Sequence, residues 1–246
     1  SDKISFICSK FPNIPVCEDF LHPVPPVPPN ILAEFTPASH EEVRAAILSS
    51  YNATCSLDVI PTRLLKSCLD SLIIPITTII YLSLDEGNFH PLFKSALVTP
   101  LLKKHSLPLD ELSSYRPISN LNFLSKILEQ IIHTRLSDHF QKFSCLSPFQ
   151  SAYRKFHSTE TALLRIQNDL LLATNKQKLS ALVLLDLSAA FDTIDHNILL
   201  NRLSHTFGIT GNALSLLSSY ITNRSQSVCI NSNFPNPSPL DTEVKS

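Results

Sequence analysis

Apolar residues recur along most of this chain at the three- and four-residue intervals of a helix. The clearest case is 122–143, where Phe123, Leu124, Ile127, Leu128, Ile131, Ile132 and Leu136 fall on one face. Ser39, with Glu42 three residues on, forms a capping-box signal for a helix through Val43, Ala46, Ile47 and Leu48. Pro61 suits the first turn of a helix over 62–69, and a further helix is predicted over 76–84, stopped by Gly87. Ser158 opens another, with Glu160 in its first turn and Leu163, Ile166 and Leu170 facing inward. Asp195 caps a short helix carrying Ile198, Leu199, Leu200 and Leu203 that ends at Gly208, and a last one covers about 213–221. Strand signals are fewer. They are 96–101, interrupted by Pro100, then 227–230, and above all the unbroken run Ala181, Leu182, Val183, Leu184, Leu185, which predicts a strand buried on both faces. No internal repeat is present.

That last run leads straight into Asp186. A buried carboxylate costs several kcal/mol unless it is compensated, and a bound cation is one compensation. An acid ending a buried strand, followed by small residues and the aromatic Phe191, is one form a metal-dependent phosphoryl-transfer site takes. An Asp capping the following helix or turn is the plainer reading, and on motif shape alone the favoured one.

Composition narrows the chemistry. With 246 residues and 43% hydrophobic content the chain can build one large domain or two small ones. Its three glycines, Gly87, Gly208 and Gly211, exclude a Gly-rich phosphate loop, leaving side chains, metal or helix N-termini to handle phosphate. Proline clusters at Pro23, Pro25, Pro26, Pro28 and Pro29, predicting an extended arm. Net charge is −1, yet 94–156 holds nine Lys or Arg against four acids, +5, leaving −6 for the rest. Such asymmetry suits a polyanion groove beside a metal site, and also a few solvated basic helix faces. The six cysteines form no CxxC pair and the nine histidines no HExxH spacing, so reduced thiols and an intracellular setting, nucleus or cytoplasm, are expected. No signal peptide opens the chain, and the apolar stretch 72–84 is too short to span a bilayer, so no membrane association is expected. A chain that starts at Ser1 and contains no Met suggests a piece of a larger reading frame.

Six segments, taken in order, resemble the reverse transcriptase domain of a non-LTR (LINE-type) retrotransposon. They are Ala96-Leu97-Val98-Thr99-Pro100-Leu101-Leu102-Lys103-Lys104, Ser114-Tyr115-Arg116-Pro117-Ile118-Ser119-Asn120-Leu121, Lys126-Ile127-Leu128-Glu129, Ser147-Pro148-Phe149-Gln150-Ser151-Ala152-Tyr153-Arg154-Lys155, Ser158-Thr159-Glu160-Thr161-Ala162, and Leu185-Asp186-Leu187-Ser188-Ala189-Ala190-Phe191-Asp192-Thr193-Ile194-Asp195-His196. The resemblance implies an α+β fold, a partial right-hand polymerase with fingers and an incomplete palm. The expected divisions are a Pro-rich linker or disordered arm over 1–38, a helical segment over 39–95, partial fingers and palm over 96–230, and a polar tail over 231–246.

The same resemblance implies roles. Asp186 would ligate a catalytic Mg²⁺ pair, assisted by the carbonyl of Leu187. Phe191 would lie under the sugar of the incoming nucleotide. Arg154 and Lys155 would grip its triphosphate, and Arg116 would contact nucleotide or template. Lys103, Lys104 and Gln150 would contact template, Gln150 also ordering the Arg154 loop. The implied partners are an RNA template, a DNA primer and dNTPs, with no clear protein partner. Plainer readings stand beside these: Arg154 and Lys155 as a solvated turn, Phe191 as core, Asp192 and Asp195 as helix caps, Arg116 satisfying a loop carbonyl.

Two departures from the family bear on activity. Ala152 stands where the family usually has glycine, which would strain the turn if that position needs a positive φ. Residues 232–246 contain no Asp-Asp pair, so the hairpin carrying the other metal carboxylates is missing, as is the thumb. Weak Mg²⁺ binding and no polymerase activity by this stretch alone follow as expectations. A non-catalytic nucleic-acid-binding module and a non-functional remnant of a transposable element are the alternatives.

Overall fold

The computed structural model describes residues 30–186, 190–191 and 193–229, and the backbone of Ser238–Pro239. Most of the proline-rich arm falls outside these residues. The first helix, α1 (His40–Ser49), starts where the capping signal places it: the Ser39 hydroxyl accepts from the Glu42 N–H at 3.1 Å. Helix α2 (Thr62–Ser67) follows Pro61, and α3 (Leu69–Asp85) begins seven residues before the expected Ile76. Pro75 lies inside α3 on its exposed side. The donor it lacks would have served the carbonyl of exposed Ser71, which water can satisfy instead.

Strands β1 (Ser95–Leu102) and β2 (Tyr115–Asn120) pair antiparallel with Pro100 opposite Pro117. The Lys103 N–H bonds the carbonyl of its opposite number Ser114 at 2.9 Å, which makes 100/117 a pair that exchanges no ladder hydrogen bond. Both prolines are therefore tolerated, and β1 runs through the position where an interruption was expected. Helix α4 (Phe123–Lys142) is capped by Asn122, whose side chain accepts from the Ser125 N–H at 2.7 Å. Then come α5 (Thr159–Asn175), α6 (His196–His205), α7 (Gly211–Ile221), β3 (Ser225–Val228) and the two-residue β4 (Ser238–Pro239). The sheet order is β2-β1-β3-β4, with β3 parallel to β1 and β4 antiparallel to β3.

One apolar core joins α1, α3, α4 and α7. Val43, Ile47, Ile80, Phe89, Ile127, Leu128, Ile131, Ile209 and Leu216 are almost wholly withdrawn from solvent. The segment 30–38 straps this core: Leu32 pairs with Ile209, and the Ala33 carbonyl accepts from the Ala213 N–H at 2.9 Å. Gly211 allows that approach, since a Cβ there would lie 2.9 Å from the Ala33 carbonyl oxygen. Arg135, on α4, clamps the strap. Its guanidinium donates to the carbonyls of Thr36 (2.7 Å) and Pro37 (3.0 Å) and forks onto both Glu42 oxygens (2.8 and 2.9 Å). Those bonds hold the Glu42 carboxyl below its usual range.

Two expectations fail. Residues 181–186 form no strand; they carry no regular secondary structure and are exposed, Leu184 at 82%. The face of α5 expected to point inward buries nothing, and Leu163 is 64% exposed. Both elements have the composition for burial, and no described element packs on them.

Candidate functional site

The loop between α4 and α5 ties itself together. Arg154 Nη1 donates to the carbonyls of Ser147 (3.0 Å) and Gln150 (3.1 Å), and Gln150 Nε2 donates to the Ala152 carbonyl (3.1 Å). Arg165, in the second turn of α5, donates to the Pro148 carbonyl at 3.0 Å while its guanidinium lies 4.8 Å from the Phe149 ring centroid. Ser158 closes the loop through a capping box in which Thr161 is the reciprocal partner. Left-handed backbone occurs at Tyr153 (φ 58°) and Phe156 (φ 64°) and not at Ala152, so the expected strain sits one residue and four residues further on. Among the described residues only one nitrogen of Arg154 is engaged, which leaves the rest of its fork available. Lys155 is exposed with Nζ 5.1 Å from the Phe156 centroid.

Lys103 directly follows β1 and Arg116 lies on β2, both near the same end of the β1–β2 pair. The Lys103 ammonium donates to the Ser113 carbonyl at 2.8 Å, and Arg116 is exposed on the edge strand opposite Leu101. Lys104 is exposed in the loop that follows β1. Asp186 is exposed and has no hydrogen-bond or ion-pair partner among the described residues, the Arg154–Lys155 loop included. Phe191 is exposed as well, not core; Leu187 and Asp192 lie outside the described residues. Asp195 caps α6, accepting from the N–H groups of Asn197 (2.8 Å) and Ile198 (3.0 Å). Among the described residues no group of three His, Cys, Asp or Glu side chains is placed to hold a metal ion.

A second polar cluster, drawn from α4, α7 and the residues just before β1 and β3, was missed by the sequence reading. Lys94 is buried, its ammonium bonding the Ser219 hydroxyl at 3.2 Å; burial, then the nearby Arg224 charge, push its pKa below the lysine range. Burial raises the Glu129 carboxyl. Burial, with Glu129 alongside, pushes the Tyr220 phenol up to about 12. Arg224 covers the Tyr220 ring at 4.9 Å and bonds its carbonyl at 2.9 Å, which orients the chain entering β3. The available signal was Glu129 itself, an acid between Leu128 and Ile132 beside the apolar stripe of α4. Two of the nine basic residues of 94–156, Lys94 and Arg135, thus serve the fold. No described helix is long and apolar enough to cross a membrane.

Comparison with known proteins bears on the same stretch. Residues 102–237 match the family model described as reverse transcriptase (RNA-dependent DNA polymerase). Over 169 residues the chain is 28% identical to the probable RNA-directed DNA polymerase from transposon BS of Drosophila melanogaster, covering 67% of this chain and 18% of that protein. It is 31% identical over 150 residues to the RNA-directed DNA polymerase from mobile element jockey of the same organism (61% and 16%). To the probable RNA-directed DNA polymerase from transposon X-element, also from that fly, it is 26% identical over 193 residues (78% and 21%). The chain thus spans between 16% and 21% of the length of these relatives.

Proposed function

The chain belongs to the reverse transcriptase (RNA-dependent DNA polymerase) family, of the non-LTR retrotransposon kind, and on that premise we propose that it forms the fingers and part of the palm of an RNA-directed DNA polymerase. The reading is carried by the family match over 102–237, within which five of the six ordered motifs fall. Its substrates are an RNA template, a DNA primer and dNTPs. Arg154 and Lys155 hold the triphosphate: a guanidinium fork suits phosphate oxygens, and Arg154 keeps free nitrogens while its engaged one fixes the loop. Lys103, Lys104, Arg116 and Gln150 line the path of template and nucleotide. Phe191 supports the sugar.

Magnesium, when bound in such a site, supplies Lewis-acid stabilisation to the attacking and leaving oxygens. The donor set tests that expectation. Asp186 is the one described carboxylate of its motif without a capping role, and a single carboxylate with one carbonyl does not fix two hard cations. The described residues therefore do not fit an ion pair by themselves, and Asp186 contributes one ligand to a site completed by acids outside them. A polypeptide of these 246 residues is expected to give no product in primer extension on an RNA template with dNTPs and Mg²⁺. Templated product from it would overturn the claim of incompleteness. A second reading, a nucleic-acid-binding module without catalysis, is favoured by the lack of any hydrogen bond or ion pair between Asp186 and the cationic loop among the described residues. It shares the prediction of RNA binding that weakens steeply with salt. Absence of binding at low salt would remove both.

A further inference from the structure

We infer that Phe149, Tyr153 and Phe156 form a stacking platform for the unpaired bases of single-stranded RNA, a role distinct from the phosphate contacts of their neighbours. The inference rests on the nucleic-acid reading above and adds a ligand contact to it. Three aromatic rings stand on one loop at 77%, 85% and 87% exposure. Large rings gain most from burial, and a single exposed one is ordinary; three within eight residues are not. Two of them, Tyr153 and Phe156, sit on left-handed backbone, which costs a bulky side chain free energy. The loop bears that cost while leaving the rings in water, so the conformation does not serve the apolar core.

The electrostatic setting points to the occupant. Phe149 carries the Arg165 guanidinium at 4.8 Å and Phe156 the Lys155 ammonium at 5.1 Å, while Tyr153 lies next to Arg154 in sequence and makes no ring contact or hydrogen bond among the described residues. Cations alternating with open aromatic faces suit a polymer whose charge and flat apolar groups alternate. A single strand is such a polymer: phosphates meet the cations and bases meet the rings. A protein partner would be served by the rings but not by an uncompensated row of three cations. Paired bases in a duplex present no free face.

The test measures binding of the intact chain to two labelled probes of about 12 nucleotides, within the site sizes of single-strand binders. One is oligo(A) RNA, the other an abasic ribose-phosphate chain of the same length and charge. Oligo(A) is expected to bind at least about tenfold more tightly than the abasic chain. Tyr153→Ala and Phe156→Ala should each weaken oligo(A) binding by roughly tenfold without changing the salt slope, while Tyr153→Phe retains it. Lys155→Ala should instead reduce that slope by about one. Because all three rings are exposed, the variants should keep the far-ultraviolet circular dichroism of the parent chain. Salt-sensitive but equal binding of both probes, unaffected by the aromatic variants, would overturn the stacking role and leave the phosphate reading standing. Failure to bind either probe at low salt would overturn both.

Discussion

The four-helix core and the stretch 144–195 treat similar amino acids in opposite ways. Leu128 on α4 is fully buried, whereas Leu163 on α5 and Leu184 near Asp186 stand in solvent. The lesson concerns partners rather than propensity. The apolar face of α4 meets α1, α7 and the 30–38 strap within the described residues. The equally regular face of α5 and the five-residue apolar run bury no residue there. The proposed nucleotide contacts Arg154, Lys155 and Phe191 lie in the second region, and the buried apolar residues lie in the first.

Stability measurements put the comparison at risk directly. Leu128→Ala should cost about 2–5 kcal/mol, read as a lower urea midpoint, because it opens a cavity in packed surroundings. Leu184→Ala should lie within about 0.5 kcal/mol of the parent. Comparable losses at both sites would erase the distinction.

Arg135→Ala should cost about 2 kcal/mol, since it frees two strap carbonyls and the Glu42 carboxylate together. Its pH dependence has a definite sign. Glu42 has a folded-state pKa lowered below the unfolded value, so its contribution is present above roughly pH 4.3 and fades as pH falls through the folded value. The gap in urea midpoint between Arg135→Ala and the parent should therefore narrow in acid. A gap that widens below pH 4 would mean the pairing is misread.

The smallest effects compare caps. Ser39→Ala should lower global stability by about 1 kcal/mol, because α1 unfolds with the core. Ser158→Ala should speed amide exchange across α5 and leave the global midpoint almost unmoved, because α5 buries nothing.

Much of the core was readable from spacing alone. The stripe of α4 names Phe123, Ile127, Leu128, Ile131 and Ile132, all buried, and the caps at Ser39, Ser158 and Asp195 hold. Local chemistry decides those features, so local sequence reveals them. Three features were not legible. The start of α3 was obscured by Pro75, whose cost depends on which side of the helix faces water. The Arg135 clamp joins residues about a hundred positions apart, and nothing near Arg135 in sequence marks it. The run 181–185 reads as a buried strand by composition, but a strand also needs a neighbour to pair with, and none is described. For the site, an ordering role for Gln150 in its own loop was expected and its amide does bond the Ala152 carbonyl, whereas the Lys94–Ser219 contact and the Glu129–Tyr220–Arg224 cluster exist only through the meeting of distant elements.

Hydrogen exchange of the intact chain, with and without a primed RNA template at low salt, tests the central claim most directly. The account predicts that RNA slows exchange in 103–116 and 147–158, while α1, α4 and α7, already slow, do not change. Protection confined to those three helices, or no change anywhere at saturating RNA, would contradict it.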